Sequence, residues 1–440
     1  MSGFVRLQLS IMMFLQYAIW GSWGVTMATY LGAAHKFQGV EIGWVYNTMQ
    51  IGAILSPLFI GIIADRLFAT QTVLSICHLT GAGILWAAAT ADTPRNVFLL
   101  MLAYGMLFMP TLALTNSISF RNMNDPDREF PGVRVLGTIG WIVAGLVVGG
   151  TSLTADGQIG FDLGSFHIGA KDGQPIANTN NILYLASALS AALGIFCVTL
   201  PHTPPVKSAG GKQPGAFAAL AMLKEPSFAI LMLISFGISV VLAFYYQLTN
   251  PFLNDLKLEN SAQWQTLGQW SEIIFMLALP FIVTTLGVKW TLLLGMVAWC
   301  VRYGIFYTQD LTWIKFLGLP LHGICYDFFF VVSQLYVDQR APRELRASAQ
   351  GLLTLITLGL GMFVGNILAG YAKDLQQTPA IEGLSLAKSF LPTFLWEPSV
   401  ASTAASTTSW PGVWLPAAIG CGVATALFLV GFRDSKNRAT

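Results

Sequence analysis

The 440-residue chain has few charged residues, because Asp, Glu, Lys and Arg together make up only 10% of it. Soluble domains of average composition carry roughly 25% charged residues, so water cannot be the solvent for most of this surface. The formal net charge of +2 gives no reason to expect a nucleic-acid partner. These shortages exclude an ordinary soluble domain and favour a membrane protein.

Cysteine is also scarce and lacks the patterns typical of metal sites and disulfide frameworks. The cysteines lie inside apolar stretches, are odd in number and form no C-x-x-C pattern, so we expect buried, small hydrophobic side chains. They are Cys77, Cys197, Cys300, Cys325 and Cys421. Neither a nucleotide-binding P-loop nor an H-E-x-x-H motif occurs. The sequence therefore predicts no catalytic residue, no metal and no cofactor.

Long apolar stretches are abundant, and hydrophobic residues make up 54% of the chain. A helix needs about 20 mostly apolar residues to cross the hydrocarbon core, whereas the short alternating strands of a membrane β-barrel are missing. We predict twelve transmembrane helices. They cover residues 8–31, 42–63, 71–91, 96–120, 132–153, 181–200, 227–252, 265–286, 289–308, 314–336, 347–371 and 412–432. The first stretch is too long for a signal peptide, so we expect it to be retained as a span.

The basic residues are unevenly distributed between the loops. With both termini and the even-numbered loops on one side, that side carries fifteen Lys and Arg residues and the other side seven, while Arg302 lies within a span. Excess Lys and Arg mark the cytoplasmic face. We therefore predict a multi-pass protein with both termini in the cytoplasm and external connections at 154–180 and 374–411.

A polar linker divides the predicted spans into two groups of six. It covers residues 201–225, between an N-terminal bundle at 1–200 and a C-terminal bundle at 226–440. The halves also share a feature, because arginines lead directly into a helix rich in small residues after the fourth span and again after the tenth. Equivalent features six spans apart predict two related six-helix bundles, the arrangement of major facilitator transporters.

The loop between the second and third spans carries Gly61-Ile-Ile-Ala-Asp65-Arg66. This sequence resembles the G-x-x-x-D-R core of the major facilitator loop motif, in which glycine permits close helix approach and the Asp-Arg pair closes a cytoplasmic gate. The usual basic run after the motif is missing. The alternative interpretation is an ordinary loop with one cytoplasmic arginine.

Three charged residues lie where lipid should surround the chain. They are Glu272, Asp327 and Arg302, in the predicted spans eight, ten and nine. A charge at mid-bilayer costs about 2.5–3.5 kcal/mol even on the gentler scale, and such residues usually line a pathway. We therefore predict that both carboxyl groups function in transport. For Arg302, a structural ion pair is an equally good explanation.

Polar amide side chains also lie inside the predicted spans seven and eight. Gln269 precedes Glu272 by three residues, and Gln247 precedes Asn250 by three, so each pair shares one helical face. We expect these faces to turn toward a shared wet cavity. The alternative is that they form interhelical hydrogen bonds, which are typically worth only about 0.6 kcal/mol in membranes.

Seven motifs occur in order along the chain. They are FLQYAIWGSW (14–23), MPTLALTNSISF (109–120), RVLGTIGW (134–141), QLTN (247–250), QWSE (269–272), YDFF (326–329) and RASAQG (346–351). Together they resemble the nucleoside:proton symporter family of the major facilitator superfamily. The resemblance implies an all-α membrane protein with the major facilitator fold, in which twelve transmembrane helices form two pseudo-symmetric bundles. It also implies import of purine and pyrimidine nucleosides with protons across the bacterial inner membrane, by a monomer without a cofactor.

The resemblance also implies roles for individual residues. The nucleoside would be bound by side chains from both halves, and two of these acids would also couple transport to protons. The binding residues implied are Arg134, Thr138, Trp141, Gln247, Asn250, Gln269, Glu272, Tyr326 and Asp327. Proton coupling would fall to Glu272 and Asp327.

Three positions depart from the family pattern. His322 stands in place of a tyrosine, and Trp141 and Tyr326 stand in place of phenylalanines. The aromatic changes keep a surface on which a base can stack but alter its width, while His322 either titrates near neutral pH or only packs.

Three other functions fit the composition less well. A proton-coupled carrier of another small solute, such as a sugar, would need the same fold. A membrane sensor without transport would leave the burial of two carboxyl groups unexplained. An intramembrane enzyme would need a nucleophile–base pair or a metal cluster that the sequence does not show.

Overall fold

The structure is a computed structural model that describes residues 1–66, 68–164, 166–170, 172–204, 218–381, 383–397 and 407–433. For residues 56–66, 127 and 347 it describes the helical backbone alone. The described chain is mainly helical.

Among the described residues, seven helices precede the linker. They are α1 (Gly3–Gly21), α2 (Met27–His35), α3 (Gly39–Arg66), α4 (Thr70–Ala89), α5 (Pro94–Arg121), α6 (Pro126–Gly150) and α7 (Asn181–Phe196). The predicted first span thus consists of α1 and α2, separated by a turn. Proline begins both α5 and α6, where its missing N–H costs no hydrogen bond. The preceding residues, Thr93 and Asp125, accept hydrogen bonds from backbone N–H groups of the first turn.

In the described part of the chain after the linker there are nine helices. They are α8 (Pro226–Asp255), α9 (Ser261–Thr308), α10 (Leu311–Trp313), α11 (Leu321–Tyr326), α12 (Val332–Arg340), α13 (Arg346–Thr354), α14 (Met362–Leu375), α15 (Leu386–Ser389) and α16 (Trp410–Gly431). The 48-residue α9 covers two predicted spans, which meet at Gly287, where φ is 78° and ψ is 167°. Three π-helical segments join shorter helices, at Ile314–Gly318, Asp327–Val331 and Leu355–Gly361.

The connection between α6 and α7 contains a β-sheet that the sequence analysis did not predict. Its strands are β1 (Thr151–Leu153), β2 (Ile159–Leu163), β3 (Phe166–Gly169) and β4 (Gln174–Pro175), arranged antiparallel in the order β3-β2-β1-β4. A second antiparallel pair joins β5 (Gln377–Thr378) to β6 (Thr407–Thr408). The first sheet was missed because its strands are only two to five residues long, too short for alternation to stand out.

Several helices have the length and surface of membrane spans. Within the described residues, eight helices are long and apolar enough to cross a bilayer, or nine if the bent pair Leu311–Gly318 and Leu321–Arg340 is one span. On α9, the side chains of Ile274, Leu277 and Phe281 are 63%, 80% and 73% exposed, a row that lipid can cover. The protein is therefore a multi-pass membrane protein. The count of twelve spans and the division at 201–225 stay predictions.

The described chain forms two compact units. The first contains Met1–Ala209, Tyr246–Thr266 and Ser385–Ala405, and the second contains Gly210–Tyr245, Leu267–Leu384 and Ser406–Thr440. In the second unit, aromatic rings stack between α9 and α16, because Tyr303 lies 5.6 Å from both Trp299 and Trp414.

In the first unit, α3 packs against α5 at a pair of glycines. A Cβ atom on Gly52 would lie 2.5 Å from the carbonyl oxygen of Gly105, and one on Gly105 would lie 2.6 Å from that of Thr48. No real side chain tolerates these separations. The two backbones therefore approach closely because both residues are glycine, as is common between membrane helices.

We predict that Gly105→Leu lowers the stability of the protein by about 1–3 kcal/mol, the usual cost of overpacking, because the new side chain forces α3 away from α5. Thermal unfolding of the purified protein measures the loss. Gly83→Leu on α4 is the matched control, because its Cβ would meet nothing within 4 Å. Equal losses in both variants would contradict the packing argument.

Candidate functional site

In the part of the chain that the structure describes, Asp327 is buried without a hydrogen-bond partner. It begins the π-helical segment Asp327–Val331 and is 0% exposed. Within the described residues, neither carboxylate oxygen has a hydrogen-bond partner. Such π-helical turns occur frequently at functional sites, and an unpaired buried carboxylate is costly. Both features favour a functional role for Asp327 over a structural one.

Glu272 lies in the same compact unit and interacts electrostatically with Asp327. Its helix, α9, is in direct contact with α11, because the backbone N–H of Gly323 donates to Ser271 Oγ at 3.0 Å. Glu272 is half-buried, and Gln269, one turn earlier, is buried. The two acids expected to couple transport to protons therefore lie on neighbouring elements.

Arg302 is fully buried and lies against aromatic rings. Its Cζ atom lies 3.5 Å from the ring centre of Tyr245 and 5.4 Å from that of Trp299. Within the described residues Arg302 forms no ion pair, and its Nη1 donates a hydrogen bond to His322 Nδ1 at 3.0 Å. The ion pair considered from the sequence is therefore replaced by cation–π contacts.

The contact with Arg302 fixes the tautomer of His322. An arginine can only donate hydrogen bonds, so Nδ1 of His322 must accept and the ring proton lies on Nε2. The His322 ring stacks on Tyr245, with centres 4.8 Å apart and planes at 25°. His322 is thus a neutral histidine in this structure, and its Nδ1 accepts a hydrogen bond from Arg302.

Tyr326 belongs to an aromatic row along the same element. Its ring centre lies 5.8 Å from that of His322 and 5.3 Å from that of Phe330. Tyr326 is half-buried, whereas its two neighbours are buried. The row supplies an aromatic surface next to Asp327 in the chain, with successive rings tilted by 37° and 39°.

In the first unit, α6 carries Arg134, Thr138 and Trp141, all half-buried. The Cζ atom of Arg134 lies 4.2 Å from the ring centre of Tyr17, and the rings of Trp141 and Trp20 are 5.7 Å apart at 68°. Both partners lie on α1, one turn apart. They stand within the FLQYAIWGSW motif, but the sequence analysis did not single them out as site residues.

Asn250 uses its whole hydrogen-bonding capacity inside the first unit. Its Oδ1 accepts from Thr29 Oγ1 at 2.6 Å and from Asn254 Nδ2 at 3.1 Å. Its Nδ2 donates to Ser261 Oγ at 3.0 Å and to Gln265 Oε1 at 2.7 Å. An amide offers two donors and two acceptor lone pairs, and Asn250 is 0% exposed. In this conformation it has no hydrogen-bonding group left for a substrate.

Gln247, one turn earlier, keeps one group available. Its Nε2 donates to the carbonyl oxygen of Gly39 at 3.2 Å, whereas its Oε1 has no partner within the described residues. Gln247 and Asn250 belong to the first unit, and Gln269, Glu272, Tyr326 and Asp327 belong to the second.

A buried histidine in the first unit was missed by the sequence analysis. His78 Nε2 lies 2.9 Å from Gln16 Oε1, and Gln16 Nε2 donates to Thr111 Oγ1 at 2.8 Å. This chain links α4, α1 and α5. Gln16 stands next to Tyr17, so the chain also fixes the part of α1 that contacts Arg134. The signal in the sequence was polar residues in three apolar stretches.

Two further predictions concern the gate motif and metal binding. The side chains of the gate motif Gly61, Asp65 and Arg66 lie outside the described residues. Among the residues that are described, no group of three or more His, Cys, Asp or Glu could hold a metal ion.

Comparison with solved structures identifies the class of protein. The crystal structure of the nucleoside transporter NupG superimposes with a TM-score of 0.79 at 29% identity, covering 98% of this chain and 100% of that chain. The fold is thus that of a major facilitator transporter.

Comparison of sequences identifies the family. The sequence model of the family "Nucleoside H+ symporter" matches residues 4–437. YegT of Escherichia coli (strain K12) is 39% identical over 98% of this chain and 95% of its own length. Xanthosine permease of the same organism is 33% identical over 84% of this chain and 88% of its own. The chain belongs to the nucleoside H+ symporter family.

We predict that Asn250→Ala destabilises the protein, because the buried side chain of Gln265 loses the hydrogen bond that it accepts from Asn250. Each buried group left unsatisfied costs about 1–3 kcal/mol. Thermal unfolding without substrate measures the loss. Asn96→Ala is the matched control, since this amide is exposed on the first turn of α5. An unchanged melting temperature for Asn250→Ala would contradict the network.

Proposed function

We propose that this protein imports nucleosides together with protons across the bacterial inner membrane, by alternating access. Both termini face the cytoplasm in this proposal. The observation that carries it is the burial of Asp327 without a hydrogen-bond partner in the described chain, in a member of the nucleoside H+ symporter family.

Asp327 is the proton-coupling residue in this proposal. A carboxylate that is dry and unpaired is costly, and a bound proton removes its charge. When the cavity opens to water, the anion becomes hydrated and the proton leaves. Glu272 interacts electrostatically with Asp327, so the charge on one acid affects the charge on the other. Glu272 therefore couples the protonation of Asp327 to substrate binding.

Nucleoside binding uses the aromatic and amide side chains. Tyr326 and Trp141 offer faces for the base, because every base has a π-face that stacks on an aromatic ring. Gln269, Arg134 and Thr138 hydrogen-bond the ribose or the base.

The amides of α8 bind the nucleoside only in part of the cycle. Asn250 is saturated by Thr29, Asn254, Ser261 and Gln265 in the conformation described. It becomes available to a nucleoside only when this network opens, whereas Gln247 Oε1 has no hydrogen-bond partner within the described residues even in this conformation. Asn250 thus exchanges internal hydrogen bonds for bonds to the substrate during transport.

The driving force is the proton gradient, without a cofactor and without an enzymatic reaction. One proton moving down 100 mV releases about 2.3 kcal/mol. At about 1.4 kcal/mol per tenfold ratio, this supports roughly a fifty-fold accumulation of substrate. A monomer in the lipid bilayer suffices for this mechanism.

The relatives narrow the substrate class. One is named xanthosine permease and another nucleoside permease NupG. We propose nucleosides as the substrates of this chain.

We predict that proteoliposomes containing the protein accumulate radiolabelled uridine when an inward proton gradient is imposed. Without the gradient, uridine only equilibrates. Competition by adenosine but not by a disaccharide is expected, because a disaccharide has no base to stack. Accumulation that ignores the gradient, or inhibition by the disaccharide alone, would refute the proposal.

We predict that Asp327→Asn abolishes proton-driven accumulation while leaving exchange of internal for external uridine measurable. The amide keeps the shape of the side chain but cannot take up and release a proton. Asp310→Asn is the control, because this exposed residue caps α10 and asparagine caps as well as aspartate. Full accumulation by Asp327→Asn would remove it from the coupling mechanism.

We predict that Glu272→Gln reduces uridine transport at least tenfold, through binding or coupling. Measuring accumulation and exchange separately distinguishes the two, since a coupling defect spares exchange. Glu259→Gln is the control because Glu259 is exposed. Normal accumulation by Glu272→Gln would show that Asp327 acts alone.

A further inference from the structure

The first compact unit contains a cavity of about 780 Å³ that the proposed transport site does not use. Ligand cavities in proteins are commonly about 300–1,000 Å³. The ends of α2 and α4, strand β4 and the start of α7 line this cavity. The polar and aromatic residues of the lining include Tyr30, His35, Gln174, Asn178 and Tyr184.

The cavity lies at the end of the unit that the sequence places outside the cell. Its lining comes from the connections that follow the first, third and fifth predicted spans. The basic-residue count puts all three connections on the external side. The structure brings them together around one cavity, as expected of connections on the same face.

The wall of the cavity is fixed by hydrogen bonds. Asn180 Nδ2 donates to the carbonyl oxygen of Ala89 at 2.9 Å, which joins the start of α7 to the end of α4. Gln174 lies in β4, which pairs with β1 through Leu153 and Ser152. The sheet between α6 and α7 therefore forms part of a preformed wall.

Polar groups in the cavity remain available. Within the described residues, the side-chain amides of Gln174 and Asn178 and the hydroxyl of Tyr184 form no hydrogen bond. Asn178 and Tyr184 are half-buried. Two amides and a phenol can donate to and accept from a ligand with both kinds of group.

Aromatic rings supply the remaining surface. The ring of Tyr184 lies 4.6 Å from that of Trp86, and Tyr30 meets His35 at 5.1 Å. Burial lowers the pKa of His35 below its usual value, an effect that nearby Asp92 partly opposes, so the imidazole is neutral at pH 7. Tyr30 is buried, whereas the half-buried rings of Tyr184 and His35 offer faces on which a planar base can stack.

The charge of the lining further restricts the chemical class of the ligand. In the described structure, none of the residues that line the cavity is Asp, Glu, Lys or Arg. A phosphate group would be recognised by Arg, Lys or a cluster of backbone N–H groups. The lining fits a neutral, polar molecule that carries a planar ring. An unphosphorylated nucleoside has these properties.

We infer that this cavity is a second, external nucleoside-binding site, which takes up the substrate before it reaches the transport site. This inference rests on the proposed function for the identity of the ligand. The alternative is that Trp86, which is 59% exposed, and Tyr184 only anchor the protein at the membrane interface.

The test uses cysteine labelling of the full-length protein in intact cells. Asn178→Cys is treated with a membrane-impermeant maleimide, with and without saturating external uridine. Uridine is expected to slow labelling at least fivefold. The same protection is expected in the Asp327→Asn background, where accumulation is absent, because binding at the cavity needs no transport. Uridine 5′-monophosphate is expected to protect little.

Gln158→Cys is the matched control, because this exposed residue of the same connection does not line the cavity. It is expected to be labelled equally with and without uridine. Labelling of Asn178→Cys that uridine leaves unchanged, or that occurs only from the cytoplasmic side, would overturn the inference. So would equal protection of both cysteines.

The outcome also separates this inference from the proposed function. Uridine accumulation without protection of Asn178→Cys would leave the transport proposal intact and exclude the external site. Protection without any accumulation would support the site and refute nucleoside transport. Adding Tyr184→Phe, which keeps the ring against Trp86, is expected to weaken protection several-fold, whereas an anchoring role needs only the ring and predicts no change.

Discussion

Polar groups inside a membrane protein need partners within the protein, because hydrocarbon offers none. Most buried polar side chains described above meet this requirement locally. His78 bonds Gln16, and Asn250 saturates its amide within one network. Asp327 does not meet it, because both of its oxygens lack a partner in the described chain. A structural explanation that suffices for the amides therefore fails for this carboxyl group, and a proton is the smallest partner that satisfies it.

The two buried residues of opposite charge, Arg302 and Asp327, have different surroundings. Arg302 lies over the ring of Tyr245 at 3.5 Å, and the negative face of an aromatic ring attracts a cation. The same faces repel an anion, so the row formed by Tyr326 and Phe330 offers Asp327 no comparable stabilisation. The arginine stays charged and fixed, whereas the acid is neutralised only by binding a proton that it can also lose. In the proposed mechanism, the cation is therefore structural and the acid is the group that exchanges a proton.

The sequence predicted the features that depend on local pattern. Apolar length located the membrane helices, and charges in apolar stretches located Asp327, Glu272 and Arg302. Their partners could not be predicted, because they are distant along the chain: Thr29 and Asn250 are 221 residues apart. Spacing placed Gln247 and Asn250 on one face but could not show that Asn250 is occupied. The sheet at 151–175 escaped notice because its strands are shorter than the alternation needed to recognise them.

The saturation of Asn250 bears on how binding is coupled to movement. An amide that already makes four hydrogen bonds cannot bind a nucleoside without giving some of them up. A ligand shifts a conformational equilibrium only by its difference in affinity for the two states. If the nucleoside bonds Asn250 only where the network with Thr29 and Gln265 is open, it favours the open state by the free energy of those bonds. In the proposed mechanism, the competition for a single side chain links the substrate to the conformational change, and an exchangeable proton on Asp327 links it to the gradient.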